Sequence, residues 1–241
     1  MKAMVLAAGL GTRLRPLTNT RPKALVEVGG RTLLDITLSR LASFGIRDVI
    51  VNVHHFADLI VDYLRANSGF GLRVEISRED ILLDTGGGLK KAAWFFGDSP
   101  EPFVLHNVDV LTNIDLAQML QSHISSGALA TLAVMQRETS RYLLFDESAD
   151  LCGRRRRDQT ELVRPSPNPE PLAFCGIHVI SPGLLPKLVE QGSFSIVDAY
   201  LRLAAGEDKI QPFRSDQFYW RDLGRIESVQ QAEQDLHQNI F

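Results

Sequence analysis

The chain has 241 residues, 44% of them hydrophobic, with 26 basic against 29 acidic side chains and a net charge of -3. That supplies one core and leaves little for a second independent domain, and the near-neutral balance excludes a global positive field that would gather nucleic acid or an anionic membrane. The only cysteines, Cys152 and Cys175, lack CxxC spacing, which excludes a disulfide framework or structural zinc site, and no apolar run reaches the length of a membrane span or signal-peptide core, so the expected compartment is the cytoplasm.

In chain order, the first apolar run, AMVLAA at 3–8, predicts a buried strand. It enters a loop with Gly9 and Gly11, where glycine lets backbone amides approach an anion closely. The P-loop pattern is not met, because the loop lacks its spacing and its Lys-Ser/Thr ending. The dinucleotide fingerprint fails as well, since Leu14 stands where the third glycine belongs. Pro16 and Pro22 oppose a helix directly after Gly11, so a long ordered loop is expected up to Pro22.

Thr32 and Asp35 have capping-box spacing, Leu34, Leu38 and Leu41 share one helical face, and Gly45 supplies the stop. DVIVNVHH at 48–55 reads as a strand whose His54 and His55 point to opposite faces and do not chelate one metal together. Further helices are expected at Phe56–Ala66, Gly88–Phe96, Asp115–Ser125 and Ile226–His237, and further strands at 72–77, 102–110, 128–134 and 172–180. Between Arg141 and Pro171 the alternation weakens, which predicts variable insertions and a small antiparallel lobe. The run Arg154 to Arg157 has no interleaved aromatics and reads as a solvated hairpin rather than a nucleic-acid site. The fold class is therefore α/β: a Rossmann-like three-layer α/β/α sandwich with a mostly parallel central sheet.

LAAGLGTRLRPLTNTRPKALVEVGGRTLL, from Leu6 to Leu34, resembles the N-terminal signature of the sugar-1-phosphate nucleotidyltransferases at nearly every fixed position. The resemblance implies that Leu6, Ala7, Ala8, Gly9 and Gly11 lie along a nucleoside triphosphate, with Thr12 and Arg13 near its β- and γ-phosphates. Lys23 would reach the α-phosphate and the sugar phosphate, and Arg13 and Lys23 would be the catalytic pair. DTGGG at Asp84 to Gly88 is similar to the family's second glycine segment, so that Thr85, Gly86 and Gly87 would bring backbone groups to the base. HNVDV lies where the family carries its GD motif, which makes Asp109 an implied magnesium ligand, Asn107 a sugar contact, and Asp222 of WRDLG the partner carboxylate. FCGIHVISP resembles the sugar-side strand, with Gly176 allowing close approach of the ring. On this likeness the single domain, 1–241, divides into a nucleotide half (1–130) and a sugar half (131–241) with its insertion near 141–171.

The implied chemistry needs these residue types. Two polyanions resist approach, so fixed cations and Mg2+ held by two carboxylates, substrate phosphates and waters would be the catalyst. The attacking phosphate is already ionised at neutral pH, so no general base is required. Two positions depart from the family pattern: Val108 replaces a glycine, adding a branched side chain where the sugar is expected, and VRP at Val163 to Pro165 stands in for an E-K-P segment, leaving Arg164 as the candidate for its lysine. Length, the TGGG segment and the F-x-G-I strand are most similar to the members that join UTP to N-acetylmuramate 1-phosphate in cell-wall recycling. Guanylyl, cytidylyl or thymidylyl transfer to mannose, glucose or heptose 1-phosphate stays open, as does a non-catalytic nucleotide-sugar-binding subunit. The expected state is a stand-alone monomer or small homo-oligomer whose partners are the NTP and the sugar 1-phosphate.

Overall fold

The computed structural model describes residues 1–97 and 99–238. Its elements in chain order are β1 (Lys2–Leu6), β2 (Glu27–Val28), β3 (Arg31–Thr32), α1 (Leu33–Ser43), β4 (Asp48–Val53), α2 (Ala57–Ala66) and β5 (Arg73–Arg78). Then come α3 (Asp84–Lys91), β6 (Phe103–Asn107), β7 (Val110–Thr112), α4 (Leu116–Ser126), β8 (Ala130–Met135), β9 (Arg141–Phe145), β10 (Leu151–Arg156) and β11 (Gln159–Leu162). The chain closes with β12 (Glu170–Ile180), α5 (Ile196–Ala205), β13 (Ile210–Arg214), β14 (Trp220–Asp222) and α6 (Ile226–His237).

The central sheet runs β5-β4-β1-β6-β12-β8-β13, and among the described residues β12 is its one strand of opposite direction. Alternation along the strands sends Val5, Val49, Val51, Val104 and Val179 to one face, where α1, α2, α4 and α6 cover them. Met4, Ile50, Leu105 and Ile180 go to the other, under α3 and α5. The expected three-layer sandwich is thus what the chain forms. The predicted start of α1 is realised: Thr32 Oγ1 accepts from the Asp35 amide at 3.1 Å.

β12 joins the two parts of the molecule. Its C-terminal half pairs with β6 and β8, and its N-terminal residues Glu170 to Leu172 pair with β9. A register shift between Phe174 and His178, with Gly176 at φ 76°, turns the strand out of the main sheet. It thereby carries β9, β10 and β11 as the expected antiparallel lobe, and Arg157 occupies the tight turn between β10 and β11.

Two predicted elements differ. The helix expected from Gly88 to Phe96 begins at Asp84 and ends at Lys91, because tertiary contacts described below hold its glycines in helical geometry. The strand expected over 102–110 stops at Asn107, and Val108 and Asp109 form a turn before β7. The helix α5 is not among the expected elements, although Ile196, Ala199, Tyr200, Leu203 and Ala204 recur at helical spacing on its buried face behind the Ser195 N-cap.

Three histidines are buried in this core. Burial pushes His106 and His123 down to about 4 and His178 to about 3, so all are neutral at pH 7. His123 is held by Thr131 Oγ1 and Ser181 Oγ, each at 2.9 Å, and His178 by the Tyr200 hydroxyl at 2.9 Å. Unfolding returns these rings to the ordinary value near 6.5, so the unfolded chain takes up protons first as pH falls. Their stabilisation is complete above about pH 6.5 and is lost progressively toward pH 4. A drop in Tm of roughly 10 °C or more between pH 7 and pH 4.5 is expected by calorimetry; a flat Tm across that window contradicts neutral burial.

Candidate active site

The parallel register places Leu6, Asn52 and Asn107 side by side at the C-terminal edge of the sheet, the edge at which open α/β sheets take ligands. Beyond Leu6 the loop is pinned at its root, because Asn52 Oδ1 accepts from the Ala7 amide at 2.7 Å. Asn52 Nδ2 donates to Glu79 Oε1 at 2.7 Å, and Glu79 Oε2 accepts from the Leu83 amide at 2.9 Å. Asn52 and Glu79, both buried, lock the opening loop to the segment before α3. Neither stood out in the sequence.

Gly11 sits in the left-handed region at φ 63°, and a Cβ there would come within 3.0 Å of Thr18 and 3.2 Å of Lys23. Thr18 Oγ1 donates to the Gly11 carbonyl at 2.8 Å and fixes the return of the loop. Among the described residues the amides from Gly9 to Thr12 find no protein acceptor. They border a cavity of about 330 Å3 together with Arg13, Lys23 and Asp109.

Lys23 is only 9% exposed, and its ammonium donates to the Asp109 carboxylate. Asp109 and Asp222 are drawn to one place by backbone pairing: β7 and β14 are in register with Asp222 opposite Val110, and the Leu223 amide donates to the Asp109 carbonyl at 2.8 Å. Asp222 Oδ1 accepts from the Gly224 amide at 2.6 Å. A Cβ on Gly224 would lie 2.5 Å from Asp222 Oδ1 and 2.8 Å from an Arg13 guanidinium nitrogen, so glycine is what lets Arg13 and Asp222 converge. Arg13, Lys23, Asp109 and Asp222, 209 positions apart at the extremes, therefore form one cluster.

A second cavity, about 420 Å3, continues from Leu6, Gly9 and Asp109 to Asn107, Asp84 and Thr85. The glycines of the TGGG segment behave differently from expectation. The Gly86 and Gly87 amides donate to the Phe194 carbonyl at 2.9 and 3.3 Å. A Cβ on Gly86 would run into the Phe194 ring, and one on Gly87 would lie 2.5 Å from the Gly192 carbonyl. These two glycines thus serve close packing of α3, and of the expected trio Thr85 is the one bordering the cavity.

Other expectations are corrected by the same kind of contact. Gly176 accommodates Asn107, whose side-chain amide would lie 2.8 Å from an added Cβ, rather than opening directly on the cleft. Val108 is 5% exposed and packs against the core with its amide donating to the Leu6 carbonyl at 3.2 Å, and it borders the cavity shared with Arg13 and Lys23 rather than the one that runs to Asn107 and Thr85. Arg164 points to Asp150 at 3.7 Å and Asp146 at 4.0 Å and lines none of the three cavities of the cleft. A third cavity, about 490 Å3, extends from Asp84, Thr85 and Asn107 to Arg141, Arg156 and His178. The arginine run is the expected hairpin, yet one of its members reaches the cleft.

The nucleotidyl transferase family model matches residues 2–239. The N-acetylmuramate alpha-1-phosphate uridylyltransferase of Caulobacter vibrioides is 37% identical over 219 residues, 84% of this chain and 84% of that protein. A mannose-1-phosphate guanyltransferase of Aspergillus fumigatus is 30% identical over 93% of this chain, which spans 61% of that relative. A solved UDP-glucose pyrophosphorylase complexed with UDP-glucose superposes with a TM-score of 0.78 at 19% identity, covering 99% of this chain and 98% of that one. The chain belongs to the nucleotidyl transferase family, among the sugar-1-phosphate nucleotidyltransferase enzymes that its opening loop resembles. Among the described residues no helix is long and apolar enough to cross a membrane.

Proposed function

We propose that the protein transfers a nucleoside monophosphate from an NTP to a sugar 1-phosphate and releases pyrophosphate, with UTP as donor and N-acetylmuramate 1-phosphate as acceptor. The observation that carries the reaction is the buried Lys23 paired with Asp109 where the phosphate-end and central cavities meet. A cation at that seam meets phosphates arriving from both sides. The choice of substrates is supported by the Caulobacter relative, while the Aspergillus relative marks the competing pair.

The free amides of the loop and Arg13 hold the donor phosphates, and the sugar lies toward Asn107 and Thr85. An oxygen of the acceptor phosphate attacks the α-phosphorus; that O–P bond forms as the bond to the bridging oxygen breaks, and pyrophosphate leaves with the electron pair. Lys23 exchanges Asp109 for the two phosphates and offsets their repulsion, while Arg13 stabilises charge on the departing group. The donor set suits magnesium: Asp109 and Asp222 are carboxylates on residues that the β7–β14 pairing brings together, and among the described residues no third His, Cys, Asp or Glu joins them. When bound, the ion would supply positive charge to the phosphate oxygens.

The test is pyrophosphate release with magnesium across a matrix of nucleoside triphosphates and sugar 1-phosphates. UTP with N-acetylmuramate 1-phosphate is expected to be the most productive pair. Preference for GTP with mannose 1-phosphate overturns the substrate assignment, and nucleotide binding without release for any acceptor overturns the enzymatic one.

A further inference from the structure

We infer that Arg141 and Arg156 form a subsite at the sugar end of the cleft that reads a carboxylate on the acceptor sugar; this rests on the transferase reading above. The antiparallel register of β9 and β10 sets Arg156 opposite Arg141 and Arg155 opposite Tyr142. Alternation then puts Arg141, Arg154 and Arg156 on one face and sends Arg155 to the other, where its guanidinium lies 4.7 Å from the Tyr142 ring centre. The shared face looks toward α5 and the third cavity.

The three arginines are not equally committed. Arg154 is held by Glu161 at 2.6 Å and by Asp198, which it neutralises. Arg156 reaches Asp198 only at 3.8 Å. The Arg141 guanidinium has no hydrogen-bond or ion-pair partner among the described residues, although it lines the cavity. Like charges directly opposite each other across an antiparallel pair are unfavourable. An anion between them relieves that repulsion, and a planar carboxylate matches the guanidinium fork.

Two further groups complete the cavity. His178, 1% exposed, has Nδ1 hydrogen-bonded with the Tyr200 hydroxyl, and its Nε2 has no protein partner among the described residues. Asp84 stands at the wall shared with the central cavity, where Oδ1 accepts from the Thr85 amide at 2.6 Å, and among the described residues it is the lining carboxylate without an ion pair, Asp198 being paired.

The anion could be the acceptor's own phosphate or a second acidic group. The layout favours the second. Lys23 and Arg13 line the phosphate-end cavity, whereas the arginine pair enters only in the third, beyond Asn107 and Thr85. With its phosphate at Lys23, the sugar ring spans Asn107 and Thr85 and presents its far substituents to the arginines. A neutral hexose leaves both unmatched.

N-acetylmuramate 1-phosphate and N-acetylglucosamine 1-phosphate differ only by a lactyl ether bearing a carboxylate, so their kcat/KM ratio isolates the subsite. The ratio is expected to favour the acid by at least tenfold, to fall at least tenfold in Arg141→Ala and in Arg156→Ala through a raised KM for the acid, and to recover partly in Arg141→Lys. Equal losses for both acceptors would assign the pair to the phosphate and overturn the inference, as would a wild-type ratio near one. Absence of pyrophosphate release with every acceptor is a failure of the transferase reading instead. In that case calorimetric titration with free N-acetylmuramate and N-acetylglucosamine decides the subsite: binding of the acid alone, lost in Arg141→Ala, upholds it, and equal or no binding of the two overturns it.

Discussion

Lys23→Ala is expected to lower kcat/KM by on the order of 10^2- to 10^3-fold, the loss of about 3–4 kcal/mol that follows removal of a preorganised charge from a desolvated site. The argument rests on position. A surface lysine of the same charge would be screened and worth little, but this one is 9% exposed, lines the phosphate-end cavity and is paired with Asp109, which also lines the central cavity assigned to the acceptor. Its role also predicts which constant moves. Because Lys23 meets charge that concentrates as the two phosphates are brought together, kcat should fall with kcat/KM, whereas a lysine that merely bound nucleotide would raise KM alone. Arginine at this position should rescue little, since its planar fork does not reproduce the compact point charge that the Lys23 ammonium sets against Asp109 in this buried position. Steady-state pyrophosphate release on the two variants checks both statements; wild-type kcat in Lys23→Ala would remove the residue from the reacting centre.

What the sequence disclosed about this site depended on how local each requirement is. Gly11 must be glycine for a backbone reason, φ 63°, and the capping of α1 needs only Thr32 and Asp35, so both are legible in a few consecutive residues. The convergence of Asp109 with Asp222 was readable only through a long signature, because the contact that enforces it is the register of β7 against β14. Asn52 and Glu79 were invisible. They are ordinary strand and loop residues until the parallel pairing of β4 with β1 and β5 aims the amide at Ala7 and the carboxylate at Leu83. The TGGG glycines misled for the converse reason: glycine marks close approach without saying to what, and here the neighbours are Phe194 and Gly192. The arginine run was read by its average charge. Read with a period of two, it separates Arg154 and Arg156 from Arg155, but only the pairing with β9 shows which face meets the cleft.

The two carboxylates should respond differently to removal even though both sit at the same cluster. Asp109→Ala is expected to cut turnover by at least 10^3-fold and to lower Tm by several degrees, since it strands the ammonium of a buried lysine without its counter-charge. Asp222 is exposed, and its structural duty is one hydrogen bond from the Gly224 amide. Asp222→Ala should therefore reduce turnover on the order of 10^2- to 10^3-fold while leaving Tm within about 2 °C of wild type. If the destabilisation in Asp109→Ala comes from the unpaired lysine, pairing it with Lys23→Met should restore Tm without restoring any activity, and the double variant becomes more stable than Asp109→Ala alone. Activity and stability are thereby separated at a single residue. Magnesium adds the last arm: wild-type Tm should rise when the ion and nucleotide are supplied together, by mass action on the folded state, and that rise should vanish in both single variants. A rise of the same size in Asp109→Ala and Asp222→Ala would mean that neither carboxylate holds the ion.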